Sequence, residues 1–340
     1  MTENIGERKN RHIDVAMRPS AQMAISTGLE HVRFEPNSLP ELSLAEIDTS
    51  TVFLRKSLSM PLIISSMSGG TQRALTLNQA LARAAEQHGI ALALGSMRIA
   101  LEDKTARASF QLRDLAPNIP ILANLGGAQL TQGAGVDNAL RCMEIAEADA
   151  MIIHLNPLQE AIQCTGDTDW RHVTKALAEL VRRSSQPIIV KEVGHGIGLQ
   201  TAQRLIDCGI TYIDIAAAGG TSWAGIEAQV DAAAFQIGEP FHDWGIPLVA
   251  SLNQLSGLTQ ATLIASGGIR SGLDVAKVIR LGARLAGAAQ PFLLAYEAGE
   301  AALHQHIECW RAQLRIAMFA TGSATLADLK CAPLIANTAC

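Results

Sequence analysis

Lys191 ends the apolar run Pro187-Ile188-Ile189-Val190-Lys191, where a period of two places it on the same face as Ile189. If that face lines an interior, the lysine presents an ammonium at its rim. A second element, Ser266-Gly267-Gly268-Ile269-Arg270-Ser271-Gly272, follows another apolar run and opens a helical pattern. Glycines let backbone N–H groups approach an anion closely, and a helix N-terminus favours negative charge. Together with Gly287-Ala288-Ala289 it reads as a phosphate site, the alternative being simple tight turns. Arg8, Lys9, Arg11 and His12 form a basic cluster, and Arg98 stands apart at the end of another run. Arginine and lysine suit phosphoryl oxygens, so these groups fit a second anion if the chain brings them together; a solvated charge run is the alternative. Gln159 and Glu160 follow a further run. A lone glutamate is ordinarily a surface carboxylate, but magnesium needs only one or two carboxylates when a phosphate supplies the remaining oxygens.

Eight short apolar runs must position these groups. They begin near Pro61, Ile90, Pro120, Ala150, Pro187, Thr211, Ala261 and Ala283, and amphipathic segments separate them. Most gaps are about thirty residues, the size of a βαβ unit. One such segment aligns Leu77, Leu81, Ala84 and His88 before Gly89; another aligns Leu199, Ala202, Leu205 and Ile206. The expected fold class is α/β, a (β/α)8 TIM barrel, with an open doubly wound sheet as the alternative. The barrel is expected over residues 60–340, preceded by a polar, irregular N-terminal extension over 1–59 that contributes to the active site. In this fold the carboxyl ends of the strands carry the chemistry. Those ends hold Ser66-Met67-Ser68, Ser96, Asn124, His154, Asn156, Lys191 and the Gly219-Gly220-Thr221-Ser222-Trp223 turn. An ammonium from Lys191 stabilises negative charge on a reduced isoalloxazine ring, unless Glu192 or Asp214 claims it. Asn124 and Thr221 suit the ring edge and ribityl chain, or ordinary loop capping.

Composition narrows the field. A net charge of −5 provides no general pull toward nucleic acid or an anionic membrane. The six cysteines, at 142, 164, 208, 309, 331 and 340, form no CxxC pair, which speaks against zinc and for a reduced, cytoplasmic protein. No signal peptide and no membrane span are expected.

As an ordered set, the motifs RKNRHI (8–13), SSMSGG (65–70), GSMR (95–98), ANLG (123–126), HLNPLQE (154–160), GD..W (166–170), VKEVGHGIG (190–198), GGTSW (219–223), DWGIP (243–247), SGGIRSGLDVAKVIRLGA (266–283) and MFATG (318–322) resemble the type II isopentenyl-diphosphate isomerases. The resemblance runs from about residue 8 to 330. It implies interconversion of isopentenyl and dimethylallyl diphosphate, with FMN and Mg2+ as cofactors and NADPH keeping the flavin reduced. It implies FMN contacts from Ser66, Met67, Ser68, Ser96, Asn124, Lys191, Thr221, Gly267, Gly268, Ala288 and Ala289. Arg8, Lys9, Ser96, Arg98, His154, Asn156 and Gln159 would line the substrate site, Glu160 would ligate magnesium, and Trp223 would pack beside the alkene. Lys191, Gln159, His154 and Trp223 are the expected catalytic group. A homo-oligomer, tetramer or octamer, is implied as well, with no nucleic-acid or membrane partner. Met97, Ala216, Ala217 and Leu248 depart from the family's usual residues. An FMN-dependent 2-hydroxy-acid oxidase on the same barrel, with His195 of the His195-Gly196 pair as base, is the rival enzyme; a non-catalytic flavin-binding protein is the rival of another class.

Overall fold

The computed structural model describes residues 5–335. A short antiparallel hairpin, β1 (Thr51–Phe53) and β2 (Lys56–Leu58), precedes eight barrel strands: β3 (Leu62–Ile64), β4 (Ala91–Ala93), β5 (Ile121–Gly126), β6 (Ala150–Leu155), β7 (Ile188–Glu192), β8 (Tyr212–Asp214), β9 (Thr262–Ser266) and β10 (Leu285–Ala288). All eight fall on the apolar runs. Each pairs in parallel with the next, and β10 pairs with β3 through Ala286 opposite Leu62, so the barrel closes and the open-sheet alternative is excluded.

The runs are continuously apolar because both faces of every strand are covered. Ile63, Ala91, Ala93, Leu122, Ile152, Ile189, Ile264 and Leu285 pack together inside the barrel, while Leu62, Ile64, Ala123, Ile153, Val190 and Ala265 pack outward among the helices. Phe53 and Leu58 of the hairpin join the inner cluster, so β1 and β2 close the barrel's amino end. The hairpin is tied there by Lys56, whose ammonium donates to the Ile119 carbonyl and pairs with Asp149 at 3.0 Å. With Phe53 and Leu58 each almost wholly buried, removing either large side chain costs about 3 kcal/mol.

The helix Gln72–His88 is N-capped by the Thr71 hydroxyl and stopped by Gly89 at φ +61°. It buries Leu77, Leu81, Ala84 and His88 as the pattern predicts. In the helix Leu199–Asp207, Ala202 and Leu205 are buried but Leu199 is half exposed. Leu199 opens that helix, ahead of the turn that meets the barrel. The segment before residue 60 is more ordered than its polarity suggests. It holds the helix Ile5–Ala16 as well as the hairpin, and tertiary contacts, not an internal apolar stripe, fix both. The long connection after β8 is also built rather than irregular, containing the helices Trp223–Val230, Ala232–Gly238 and Leu248–Leu255.

Candidate active site

At the carboxyl end the barrel interior turns from apolar to polar. Lys191, two residues after the interior Ile189, points into the mouth as its phase requires. It is buried, and its Nζ donates to the Glu192 carbonyl at 2.8 Å and lies 3.7 Å from Asp214 Oδ2. The lysine therefore faces the mouth, but it also has the contacts with Glu192 and Asp214 that were the alternative to a flavin role. Asp214 is itself held by the Ser266 hydroxyl at 2.5 Å. On the next strands, His154 Nδ1 meets Asn124 Oδ1 at 2.7 Å and the Asn124 amide donates to Ser66 Oγ at 2.8 Å. Burial, with Lys191 nearby, pushes the His154 imidazolium down to about 4, so the ring is neutral near pH 7. Ser65 Oγ is buried without a hydrogen-bond partner among the described residues.

The glycine elements form one packed shelf beside this ring. Gly267 and Gly268 have φ of +98° and +78°, and a Cβ on Gly267 would lie 2.0 Å from the Ala217 carbonyl oxygen. Only glycine satisfies both conditions. A Cβ on Gly287 would strike Ser65 Oγ and Ser266 Cβ, so its absence keeps the lumen open. Ala289 is the N-cap of the helix Gln290–Glu297 and supplies no side-chain cap; Pro291 has no N–H and the Phe292 N–H donates to the Ala289 carbonyl at 3.1 Å, so the first turn offers at most the Gln290 N–H to another acceptor. Thr221 lies alongside, its hydroxyl accepting from the Gln22 amide at 3.1 Å, while Arg270 donates to Gln22 Oε1 at 2.8 Å.

The N-terminal helix crosses the mouth and brings the basic cluster with it. Lys9 Nζ donates to the carbonyls of Gly69 at 2.7 Å and Ser96 at 3.4 Å. These acceptors are neutral, and burial lowers this ammonium to about 8, against the pull of Glu102. Arg8 Nη2 lies 3.2 Å and His12 Nε2 3.2 Å from the carboxylate of Glu227, which also accepts from Gln159 Nε2 at 2.8 Å. Burial raises the Glu227 carboxyl, but the hydrogen bond from His12 and the charges of His12 and Arg8 outweigh it, so the net shift is downward. Trp223 opens the helix that carries Glu227 and meets His12 edge to face, with ring centroids 5.5 Å apart. Arg11, at the far side of the cluster, donates to the Val230 carbonyl at an exposed position.

Glu160 completes this half. Its carboxylate accepts from Asn156 Nδ2 at 2.9 Å and from the Asp167 backbone N–H at 2.7 Å. Burial raises its pKa above the ordinary value, these hydrogen bonds opposing. The neighbouring Asn156 Oδ1 is buried and without a partner among the described residues. Arg98 reaches the same place through Asp167, its Nη1 2.8 Å from Oδ2. Among the described residues no cluster of three or more His, Cys, Asp or Glu side chains is arranged to hold a metal by itself.

The structure thus gathers Arg8, Lys9, Ser96, Arg98, His154, Asn156, Gln159, Glu160, Lys191 and Trp223 at one end of the barrel. It adds Glu227, which sequence reasoning did not single out, and Asp167, which appeared there only inside the GD..W motif with no role given. Glu227 had one sequence cue, a carboxylate four residues after Trp223 on the same helix. His195 lies elsewhere: its Nδ1 is 3.2 Å from Glu192 Oε1, on the strand residue that alternates away from Lys191. It is buried beneath Ile246, whose N–H donates to the His195 carbonyl. The five described cysteines are free, and Cys340 lies outside the described residues. Among the described residues no helix is long and apolar enough to cross a membrane.

A closed parallel barrel with glycine-rich turns after its last two strands defines the (β/α)8 class. The family model for FMN-dependent dehydrogenases matches residues 126–336. Solved structures agree on the fold: a mandelate oxidase variant covers 96% of this chain with 92% of its own at TM-score 0.64 and 19% identity. A flavocytochrome b2 variant does so at TM-score 0.67 and 18% identity, covering 95% of this chain and 81% of its own. The chain is 48% identical over 343 residues to an isopentenyl-diphosphate delta-isomerase of Stutzerimonas stutzeri, covering 99% of each. It is 45% identical to that of Cronobacter sakazakii, covering 96% of each, and 44% identical to that of a Synechococcus strain, covering 96% of this chain and 95% of the relative. Within the FMN-dependent barrels, this chain belongs to the isopentenyl-diphosphate delta-isomerase family.

Proposed function

We propose that this enzyme interconverts isopentenyl and dimethylallyl diphosphate by a 1,3 proton shift, with reduced FMN in the mouth and magnesium on the diphosphate. The observation that carries the proposal is the division of the mouth into two anion-binding halves. One is a glycine shelf beside Lys191; the other carries the cations Arg8, Lys9 and Arg98, with Glu160 joined to Arg98 through Asp167. A 2-hydroxy-acid oxidase needs a base facing the flavin, and His195 is turned toward Glu192 instead.

The shelf fits FMN. Gly267, Gly268, Ala288 and Ala289 would hold its phosphate, and Thr221 its ribityl chain. Ser66, Met67, Ser68, Ser96, Asn124 and Lys191 would border the ring, and the buried, unpartnered Ser65 hydroxyl supports a polar ligand there. Bound and reduced, FMN supplies the acid and base that move the proton, and NADPH is the proposed source of its electrons. Lys191 places positive charge against the ring's anionic edge. Neutral His154 relays a hydrogen bond through Asn124 to Ser66 and so fixes the orientation of that amide. Trp223 offers its face to positive charge developing on the alkene's tertiary carbon. Gln159, tied to Glu227, borders the same space.

Magnesium fits Glu160 as a single protein carboxylate beside the unpartnered Asn156 Oδ1, with diphosphate oxygens and water completing the shell. Arg8, Lys9 and Arg98 then take the remaining phosphoryl charge and fix the alkene's distance from the ring. A homo-oligomer in the cytoplasm completes the reading. The test is an isomerase assay with dithionite-reduced FMN and labelled isopentenyl diphosphate. Glu160→Gln should remove most of the magnesium dependence, and Lys191→Ala should weaken turnover with reduced FMN. Turnover of a 2-hydroxy acid, with bleaching of oxidised flavin and no isomerisation, would overturn the proposal.

A further inference from the structure

Asp167 sits where three neighbouring strand-end loops meet. Its Oδ2 accepts from Arg98 Nη1 at 2.8 Å and Gln129 Nε2 at 2.7 Å, and its Oδ1 accepts from Gln132 Nε2 at 2.9 Å. Arg98 follows β4, and Gln129 and Gln132 follow β5. The Asp167 N–H reaches Glu160, after β6, at 2.7 Å. Gly166 permits this approach, since a Cβ there would lie 1.9 Å from the Glu160 carbonyl oxygen. One residue therefore contacts both the arginine and the carboxylate assigned to the diphosphate, the first through its side chain and the second through its backbone.

We infer that Asp167 is a positioning residue that sets the Arg98 guanidinium for the diphosphate, an inference that rests on the diphosphate role proposed for Arg98. Arg98 is half exposed, and an exposed arginine samples many rotamers. Asp167 holds it by one nitrogen, Nη1, and its fork geometry leaves Nη2 to point elsewhere. Glu102, at 3.4 Å from Nε, is the second and longer tether. Asp167 is also a carboxylate near a site for an anion, and its removal would by itself favour that anion. Three donors already share its charge, so the loss of Arg98 order outweighs the gain.

The test measures equilibrium binding of isopentenyl diphosphate, with magnesium, to the FMN-loaded enzyme by calorimetry, in the wild type, Arg98→Ala, Asp167→Ala and the double variant. Arg98→Ala should weaken binding by tenfold or more, from loss of a charge-assisted contact. Asp167→Ala should weaken it about fivefold. The double variant should bind within about twofold of Arg98→Ala, because a residue acting only through Arg98 has nothing left to position. Magnesium affinity in Asp167→Ala should stay near wild type, since the backbone N–H to Glu160 survives. Additive effects of the two substitutions, or tighter binding in Asp167→Ala, would overturn the inference while leaving the diphosphate reading intact. Wild-type binding by Arg98→Ala would instead remove the reading on which it rests. A thermal melt of each variant, with FMN content, separates misfolding from mispositioning, and Asp167→Asn, which keeps one acceptor for Arg98, should recover part of the affinity.

Discussion

The two halves of the mouth are built from different materials. The shelf at the last two strands is made of backbone: Gly267, Gly268 and Gly287, packed so closely against Ala217 and Ser65 that no side chain fits. The opposite half is made of side chains from distant parts of the chain, with Arg8 and His12 meeting Glu227 and Arg98 meeting Asp167. A shelf of backbone recognises a constant group, such as a cofactor phosphate, and tolerates almost no substitution. A cluster of side chains can give way one contact at a time.

The sharpest test of this contrast is Gly267→Ala. A left-handed φ and a backbone oxygen in the path of the new Cβ together should cost at least about 2 kcal/mol. The expected result is loss of bound FMN and a lower Tm; retention of stoichiometric flavin would contradict the shelf's rigidity. In the other half, Glu227→Ala leaves Arg8 and His12 without their carboxylate. Because Arg8 is partly exposed, the cost should be about 1–2 kcal/mol, less than breaking a fully buried pair. It should appear as faster proteolysis near the N-terminal helix and a raised KM, with FMN content unchanged. Since the folded pKa of Glu227 is depressed, its contribution is present above the ordinary carboxylate range and is lost as pH falls through the lowered value.

Lys9 predicts a third difference. The charge proposed to hold the diphosphate is lost as pH rises through about 8. Substrate affinity should fall above that pH, and Lys9→Met should bind more weakly but with that pH dependence removed. The sign for folding is opposite. A lysine lowered to about 8 penalises the folded state while charged, so this penalty is relieved as pH rises from about 8 toward the unfolded value. The smallest effect is expected at Ala216, which adopts φ +40°. Ala216→Gly relieves the left-handed strain but gives the unfolded chain more freedom, so a gain of about 0.5 kcal/mol is expected by chemical denaturation.

The same contrast governs what could be read before the structure. All eight strands were legible because a strand covered on both faces must be apolar along its length, and Lys191 could be oriented from Ile189 by alternation alone. The glycine shelf was legible because conformational demand falls on the residue that meets it. The roles of Glu227 and of Asp167, the latter seen only as part of a motif, were not, because a carboxylate's role depends on which cations the fold brings to it, and those lie 219 and 69 residues away. The helix over Ile5–Ala16 was hidden for the same reason: its support comes from the Trp223–Val230 helix, not from its own pattern.

The distance between Arg8 and Glu227 has a bearing on biosynthesis. The residues that cross the barrel mouth leave the ribosome first, yet their docking surface is translated more than two hundred residues later. The amino-terminal helix must wait, tethered and unsupported, while most of the barrel is made, and contacts of such long sequence separation form slowly. The half of the mouth that Arg8 joins therefore cannot close until Glu227 has been made, and the glycine shelf, which follows β9 and β10, is translated later still.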